Sequence, residues 1–188
     1  MAAKLAKRNI ALVLGFQGTR FQGLQMAQAG TRTIEGEVHK ALVAAGAISD
    51  SNAGDRKKVK WSSASRTDKG VHSASCVCSV KLLVDETTGE NVSEKTLSSW
   101  NSLLPPDIRI LAGLRCGKNS RAHSMCSIRE YEYIMPVSAL CGHPLSELRR
   151  LLSKYQGTHR FHNFCGKLQK TWAQEASEAE ASSQEGDE

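Results

Sequence analysis

Asn9-Ile10-Ala11-Leu12-Val13-Leu14-Gly15-Phe16 decides the fold. Its apolar residues are consecutive, so an extended chain here has two faces to bury, and the stretch reads as a central strand over 9–16. The strand ends at Gly15-Phe16-Gln17-Gly18. Thr33-Ile34-Glu35-Gly36 then opens a helix, with acids in its first turn and Ile34, Val38, Ala41, Leu42 and Ala45 on one apolar face; Gly46 stops it. The polar run 49–58 reads as a loop, 59–65 as a short strand and 74–84 as a strand alternating around Val77, Val80 and Leu82. Ser93 caps a helix over 93–104 that presents Leu97, Trp100, Leu103 and Leu104 and ends at Pro105-Pro106. A strand follows over 108–114, another over 129–136 alternating Tyr131, Tyr133 and Met135, and a helix over 145–155 with Leu148, Leu151 and Leu152 inward. The leading order of strand, helix, strand, strand, helix, strand is the split β-α-β arrangement. The class is therefore α+β, an antiparallel ferredoxin- or RRM-like sheet with helices on one face, and such open sheets often bind RNA.

Composition narrows the function. The chain has 188 residues, 40% hydrophobic and 23% charged, enough to bury a core without a staple. Its six cysteines (Cys76, Cys78, Cys116, Cys126, Cys141, Cys165) include no C-x-x-C pair and read as reduced thiols in a cell. His159, His162 and Cys165 come nearest to metal-ligand spacing, but no fourth ligand follows, and no metal site is expected. No apolar run approaches the roughly 20 residues of a membrane span. Charge is uneven: from Leu168 onward Lys170 stands against Glu175, Glu178, Glu180, Glu185, Asp187 and Glu188, a balance of −5, so the total of +6 leaves +11 on the rest. A basic body with an acidic, Ala/Ser-rich end points to a polyanionic partner and a disordered or frayed tail.

One loop carries candidate chemistry. In Ser65-Arg66-Thr67-Asp68-Lys69-Gly70-Val71-His72 a carboxylate stands between two cations, and Gly70 frees the backbone to turn. Such a turn would project Asp68 into a cleft as a nucleophile or a base; a plain charged surface turn is the other reading of the same residues. Lys57, Lys58, Lys60, Arg20, Arg32 and Lys69 are the cations expected near it, suited to phosphate contacts that position RNA without reading bases.

The loop does not stand alone. It resembles the R-T-D-x-G-V signature of the TruA-like tRNA pseudouridine synthases, and other segments resemble that family's eukaryotic branch in the right order. These are Gly18-Thr19-Arg20-Phe21-Gln22-Gly23-Leu24-Gln25, Thr33-Ile34-Glu35, Leu104-Pro105-Pro106-Asp107-Ile108-Arg109, Arg129-Glu130-Tyr131-Glu132-Tyr133 and Gly157-Thr158-His159-Arg160-Phe161-His162-Asn163-Phe164. The match runs from about Lys7 to Lys167.

The resemblance implies a reaction and a set of roles. The reaction is isomerisation of chosen uridines to pseudouridine in tRNA, with other RNA left open as substrate, and it needs no cofactor and no metal. Asp68 is the catalytic group, attacking the ribose or removing a sugar proton to give a glycal. By the same resemblance Arg66 supports the extruded nucleotide, and Tyr131 stacks on the uracil and exchanges a proton at C5. His72 stays outside the catalytic set. The nucleus is the first expected location, with mitochondrion and cytoplasm as alternatives; no membrane role is expected, and the oligomeric state is open.

Two departures from the family pattern stand out. Ser120-Arg121-Ala122-His123 replaces a phenylalanine and a basic residue that contact substrate in the family. The family also continues into a second half that closes the cleft and supplies a basic partner for the aspartate, which this chain lacks. The expected organisation is a basic lead over 1–8, a synthase N-terminal region over 9–167 and an acidic tail over 168–188, an incomplete synthase fold. The alternative to an enzyme is thus a truncated, non-catalytic RNA-binding or regulatory fragment of one.

Overall fold

A computed structural model describes residues 5–27, 30–86, 89 and 91–161. The chain divides into two units, Met1–Tyr131 and Glu132–Glu188. The first holds strands β1 (Leu5–Phe16), β2 (Ser62–Ser63), β3 (Ser73–Asp85) and β4 (Ile108–Cys116), with helices α1 (Ile34–Ala44), α2 (Asp50–Ala53), α3 (Glu94–Ser102) and α4 (Ala122–Met125). The second holds a 3-10 turn at Val137–Leu140 and helix α5 (Leu145–Ser153).

The strands form one sheet in the order β2-β3-β1-β4, with β1 antiparallel to both neighbours. That is the split β-α-β topology and α+β class expected from the element order. The run that is apolar on both faces is the central strand for the expected reason, since hydrogen-bonded neighbours on both sides leave no edge to wet. Ile10, Leu12, Leu14 and Phe16 of β1 and Cys76, Cys78, Val80, Leu82 and Val84 of β3 all point to the helical face. There they join Ile34, Val38, Ala41 and Leu42 of α1 and Trp100 of α3 in one buried cluster. The register of β3 is therefore set by its cysteines as much as by its valines. On the other face Ala11 and Val13 are half-buried, while Leu111 and Leu114 of β4 are 54% and 45% exposed.

Local signals account for most element ends. Thr33 Oγ1 accepts from the Gly36 N–H at 3.2 Å and Ser93 Oγ from the Thr96 N–H at 3.2 Å, the two expected caps. Gly46, at φ +71°, turns the chain left-handed after α1. The outer edge of β4 is partly covered: the Asn101 side chain exchanges two hydrogen bonds with the Ile110 backbone (2.8 and 2.9 Å), and Val92 N–H donates to Gly113 O at 2.8 Å.

Four expectations change. The strand over 59–65 shrinks to Ser62–Ser63, because Lys60 takes a left-handed backbone (φ +51°) and breaks the extended run. The loop over 49–58 contains the short helix α2. The alternation over 129–136 produces no strand: the segment has no strand partner among the described residues, and Tyr131 and Tyr133 are 71% and 90% exposed. Alternation marks a strand only where a neighbour can accept from its N–H groups and donate to its C=O groups. Helix α5 forms, but Leu151 and Leu152 are exposed rather than inward, since among the described residues of its unit a 3-10 turn gives its apolar side little to pack on.

The tail over 168–188 and the residues His162 and Cys165 lie outside the described residues. Cys76, Cys78, Cys116, Cys126 and Cys141 are free thiols. Among the described residues no cluster of three or more His, Cys, Asp or Glu fits a metal, and no helix is long and apolar enough to cross a membrane.

Leu12 is fully buried at the centre of the sheet. Leu12→Ala is expected to lower unfolding free energy by about 2–5 kcal/mol, read as a shift in denaturant midpoint at unchanged slope.

Candidate active site

The Asp68 loop is built by backbone contacts with a second loop far away in sequence. Beyond β1 the chain makes a 3-10 turn at Gly18–Arg20 and passes through Gly23 at φ +106°. Leu24 N–H donates to Thr67 O at 3.0 Å, which lays this segment against the residue before the aspartate. A Cβ on Gly18 would lie 2.0 Å from Val71 O, and one on Gly23 would lie 2.9 Å from Thr67 O. Both glycines are thus required by close approach of two backbones rather than by a turn alone. The loop's own turn is closed by Val71 N–H donating to Asp68 O at 3.3 Å, with Gly70 at φ +81°, the positive-φ position a type II turn reserves for glycine.

Beneath this lies a buried carboxylate that sequence reading passed over as a helix-start acid. Glu35, 1% exposed, accepts from the Met26 N–H at 2.9 Å, from Arg56 Nη2 at 2.5 Å and from Ser63 Oγ at 2.5 Å. Ser63 also accepts from Trp61 Nε1 at 3.3 Å. Glu35 N–H donates to Leu24 O at 2.9 Å, so the residue grips the segment at both ends. One side chain therefore joins the loop after Gly23, the loop after α2 and the strand that leads into Asp68. Removing it would strand buried donors, each costing about 1–3 kcal/mol.

Tyr131 reaches the same place without a strand. Arg129 Nε donates to Ala64 O at 2.8 Å, and the Tyr131 hydroxyl lies 3.0 Å from Ser65 Oγ. This seats the phenol beside the start of the 65–68 run, leaving its ring 71% exposed. Asp68, Arg66 and Lys69 are all exposed. The flanking cations expected to hold Asp68 form no ion pair with it among the described residues.

The expected RNA-contacting cations separate into two groups. Lys69 lies in the aspartate loop, and Arg20 lies in the loop packed on it, where its guanidinium pairs with Asp107 Oδ2. Arg32 stacks over the Phe21 ring at 4.8 Å. Lys57, Lys58 and Lys60 lie elsewhere: Lys81 N–H donates to Val59 O at 2.7 Å, which ties their loop to β3 eight residues beyond Ser73. That separation is about 26 Å along the strand. Residues adjacent in the chain's charge pattern thus serve opposite ends of the sheet.

Gly18→Ala is expected to push the two loops apart and lower stability by about 1–3 kcal/mol, measured by chemical denaturation. The Arg20 hydrogen bond holds the Asp107 carboxyl below its ordinary pKa of 3.8. A depressed carboxyl pKa gives stability that is present above the unfolded value and lost as pH falls through the folded one. The melting-temperature gap between wild type and Arg20→Gln is therefore expected at pH 7 and should close as pH drops below about 4.

No protein-family model matches the chain. Among curated proteins it is 42% identical over 130 residues to tRNA pseudouridine synthase 1 of Yarrowia lipolytica, covering 69% of this chain and 23% of that protein. It is 39% identical over 136 residues to tRNA pseudouridine synthase 1 of Schizosaccharomyces pombe, covering 72% and 24%. It is 35% identical over 178 residues to the pseudouridylate synthase 1 homolog of Mus musculus, covering 86% and 40%. The chain thus spans between about a quarter and two fifths of these relatives' lengths. Over most of its own length the chain is similar to the opening part of proteins named as tRNA pseudouridine synthases.

Proposed function

We propose that this chain carries the aspartate-bearing part of a tRNA pseudouridine synthase, with Asp68 as its catalytic group. One observation supports this above others: two segments distant in sequence, 18–24 and 129–131, converge on the 64–71 loop through Leu24–Thr67, Arg129–Ala64 and Tyr131–Ser65 contacts, with the Asp68 carboxylate left open to a ligand. The homology supports tRNA as the substrate.

In the reaction the bond between uracil N1 and ribose C1′ breaks, the base turns, and C1′ joins C5. The C5 proton leaves and N1 gains one, so substrate and product are isomers and no redox cofactor is required. Asp68 acts either by attacking the ribose as the glycosidic bond breaks or by removing a sugar proton to give a glycal. Arg66 fills the gap left in the RNA when the uridine swings out. Tyr131 offers an exposed ring to stack on uracil and a hydroxyl near C5 for proton exchange. For location we propose the nucleus; recovery in mitochondria or cytosol on fractionation would count against that.

The test is release of tritium from tRNA labelled at uracil C5. Release by the chain, or by a version extended to the relatives' length, is expected, with Asp68→Asn reducing it to background. Equal release by Asp68→Asn would remove Asp68 from catalysis. A second reading is favoured by the share of the relatives that the chain spans: a non-catalytic RNA-binding fragment. It predicts salt-sensitive tRNA binding with no tritium release, unchanged by Asp68→Asn.

A further inference from the structure

At the end of the sheet away from Asp68 lies a cavity of about 210 Å³ lined by Lys7, Ala47, Ile48, Ser49, Asn52, Lys58, Val59, Lys81 and Leu83. Three of the nine are lysines and none is acidic. They come from separate elements: Lys7 from β1, Lys81 from β3, and Lys58 from the loop after α2. In the register Asn9 pairs with Lys81 and Lys7 with Leu83, so Lys7 and Lys81 share the sheet face opposite the helices as diagonal neighbours.

The walls are fixed by backbone. Lys81 N–H donates to Val59 O at 2.7 Å and Leu83 N–H to Ala47 O at 2.8 Å, where β2 no longer continues. Lys58 Nζ donates to Ser51 O at 3.3 Å, and Asn52 Nδ2 to Ser49 Oγ at 2.9 Å. Of the nearby acids, Asp55 is turned onto the Lys57 N–H at 2.8 Å, and Asp50, exposed in α2, is not part of the lining. Among the described residues no ion pair uses Lys7, Lys58 or Lys81. Three like charges gathered without a carboxylate repel one another, and an anion relieves that repulsion. Lysine suits a phosphate as a point charge without base reading.

We propose that this cavity is a second anchor for the RNA substrate, holding backbone phosphates at the end of the sheet away from the reacting uridine. The inference rests on tRNA being the substrate of the Asp68 site. Lys58 then belongs to this anchor and not to the surroundings of Asp68.

The experiment measures binding of an unmodified tRNA transcript to the full chain over a series of salt concentrations. Lys7→Gln/Lys58→Gln/Lys81→Gln is expected to weaken binding roughly tenfold near 0.1 M salt and to reduce the slope of log affinity against log salt by about 2, at some 0.7 per lost single-strand phosphate contact. A charge-matched control, Lys40→Gln/Lys95→Gln/Lys118→Gln, should change affinity less than about twofold. Both variants are first checked for an unchanged thermal melt. Wild-type affinity and slope in the cavity variant would overturn the anchor and leave the tRNA reading intact. An equal loss in the control would reduce the effect to net charge and also overturn it. If the wild type binds no tRNA, the tRNA reading fails and takes the anchor with it. Amide NMR of Lys81, Leu83 and Ala47 during titration with inorganic phosphate separates the last case: shifts with phosphate but none with tRNA would make this a small-anion site and reject the RNA anchor.

Discussion

A carboxylate nearly sealed from water must be met by donors, and the fold is arranged so that Glu35 meets three. Its position in the first turn of α1 is set by the Thr33 cap, and α1 is set by the packing of Ile34, Val38 and Leu42 under β1 and β3. From that fixed point the carboxylate draws in Met26, Arg56 and Ser63, which belong to three otherwise irregular segments. Loops lack the repeating hydrogen bonds that make helices and strands self-supporting, so a buried charge that cannot tolerate an unpaired state is an effective clasp. The aspartate loop inherits its position from this clasp through Ser63 on one side and the 22–26 segment on the other.

Above the clasp, precision comes from contact between backbones. Gly18 beneath Val71 and Gly23 beneath Thr67 let two loops approach closer than any side chain allows. Such contacts are rigid because a peptide carbonyl cannot rotate aside as a side chain can. Asp68 is thus an exposed, unpaired carboxylate on a loop braced from below, the combination a nucleophile or base requires: rigid placement with room for a ligand. Arg20 contributes by clipping the turn after β1 to Asp107 just ahead of β4, and Gln17 N–H donates to Asp107 O at 2.9 Å beside it. Two sequence segments separated by most of the first unit therefore meet at one end of the sheet.

The same sheet separates its charges by length. β3 runs from the aspartate loop to Asp85, and cations that cluster in composition are distributed along it. Arg20 and Lys69 remain near Asp68, while Lys58 joins Lys7 and Lys81 at the far end. For a long polyanion this is useful, since contacts spaced along its backbone fix its path and not merely its presence.

Much of this molecule was legible in its residues. Consecutive apolar positions in 9–16 could only be satisfied by a strand with two neighbours, and the Thr33 and Ser93 caps act on groups three residues away, so central strand, helix starts and split β-α-β order followed from local chemistry. The aspartate loop and its companion segments were legible too, because glycines and aromatics sit there in a distinctive order. What local pattern did not contain was partnership. Among the described residues the alternation of Tyr131, Tyr133 and Met135 met no strand to pair with, Leu151 and Leu152 of α5 met no covering surface, and Asp68 formed no ion pair with the cations on either side of it. Glu35 as a clasp and Lys7, Lys58 and Lys81 as one cavity arise only when residues from separate elements come together. A short-range signal reports what a residue requires, and only the tertiary structure decides which distant residue supplies it.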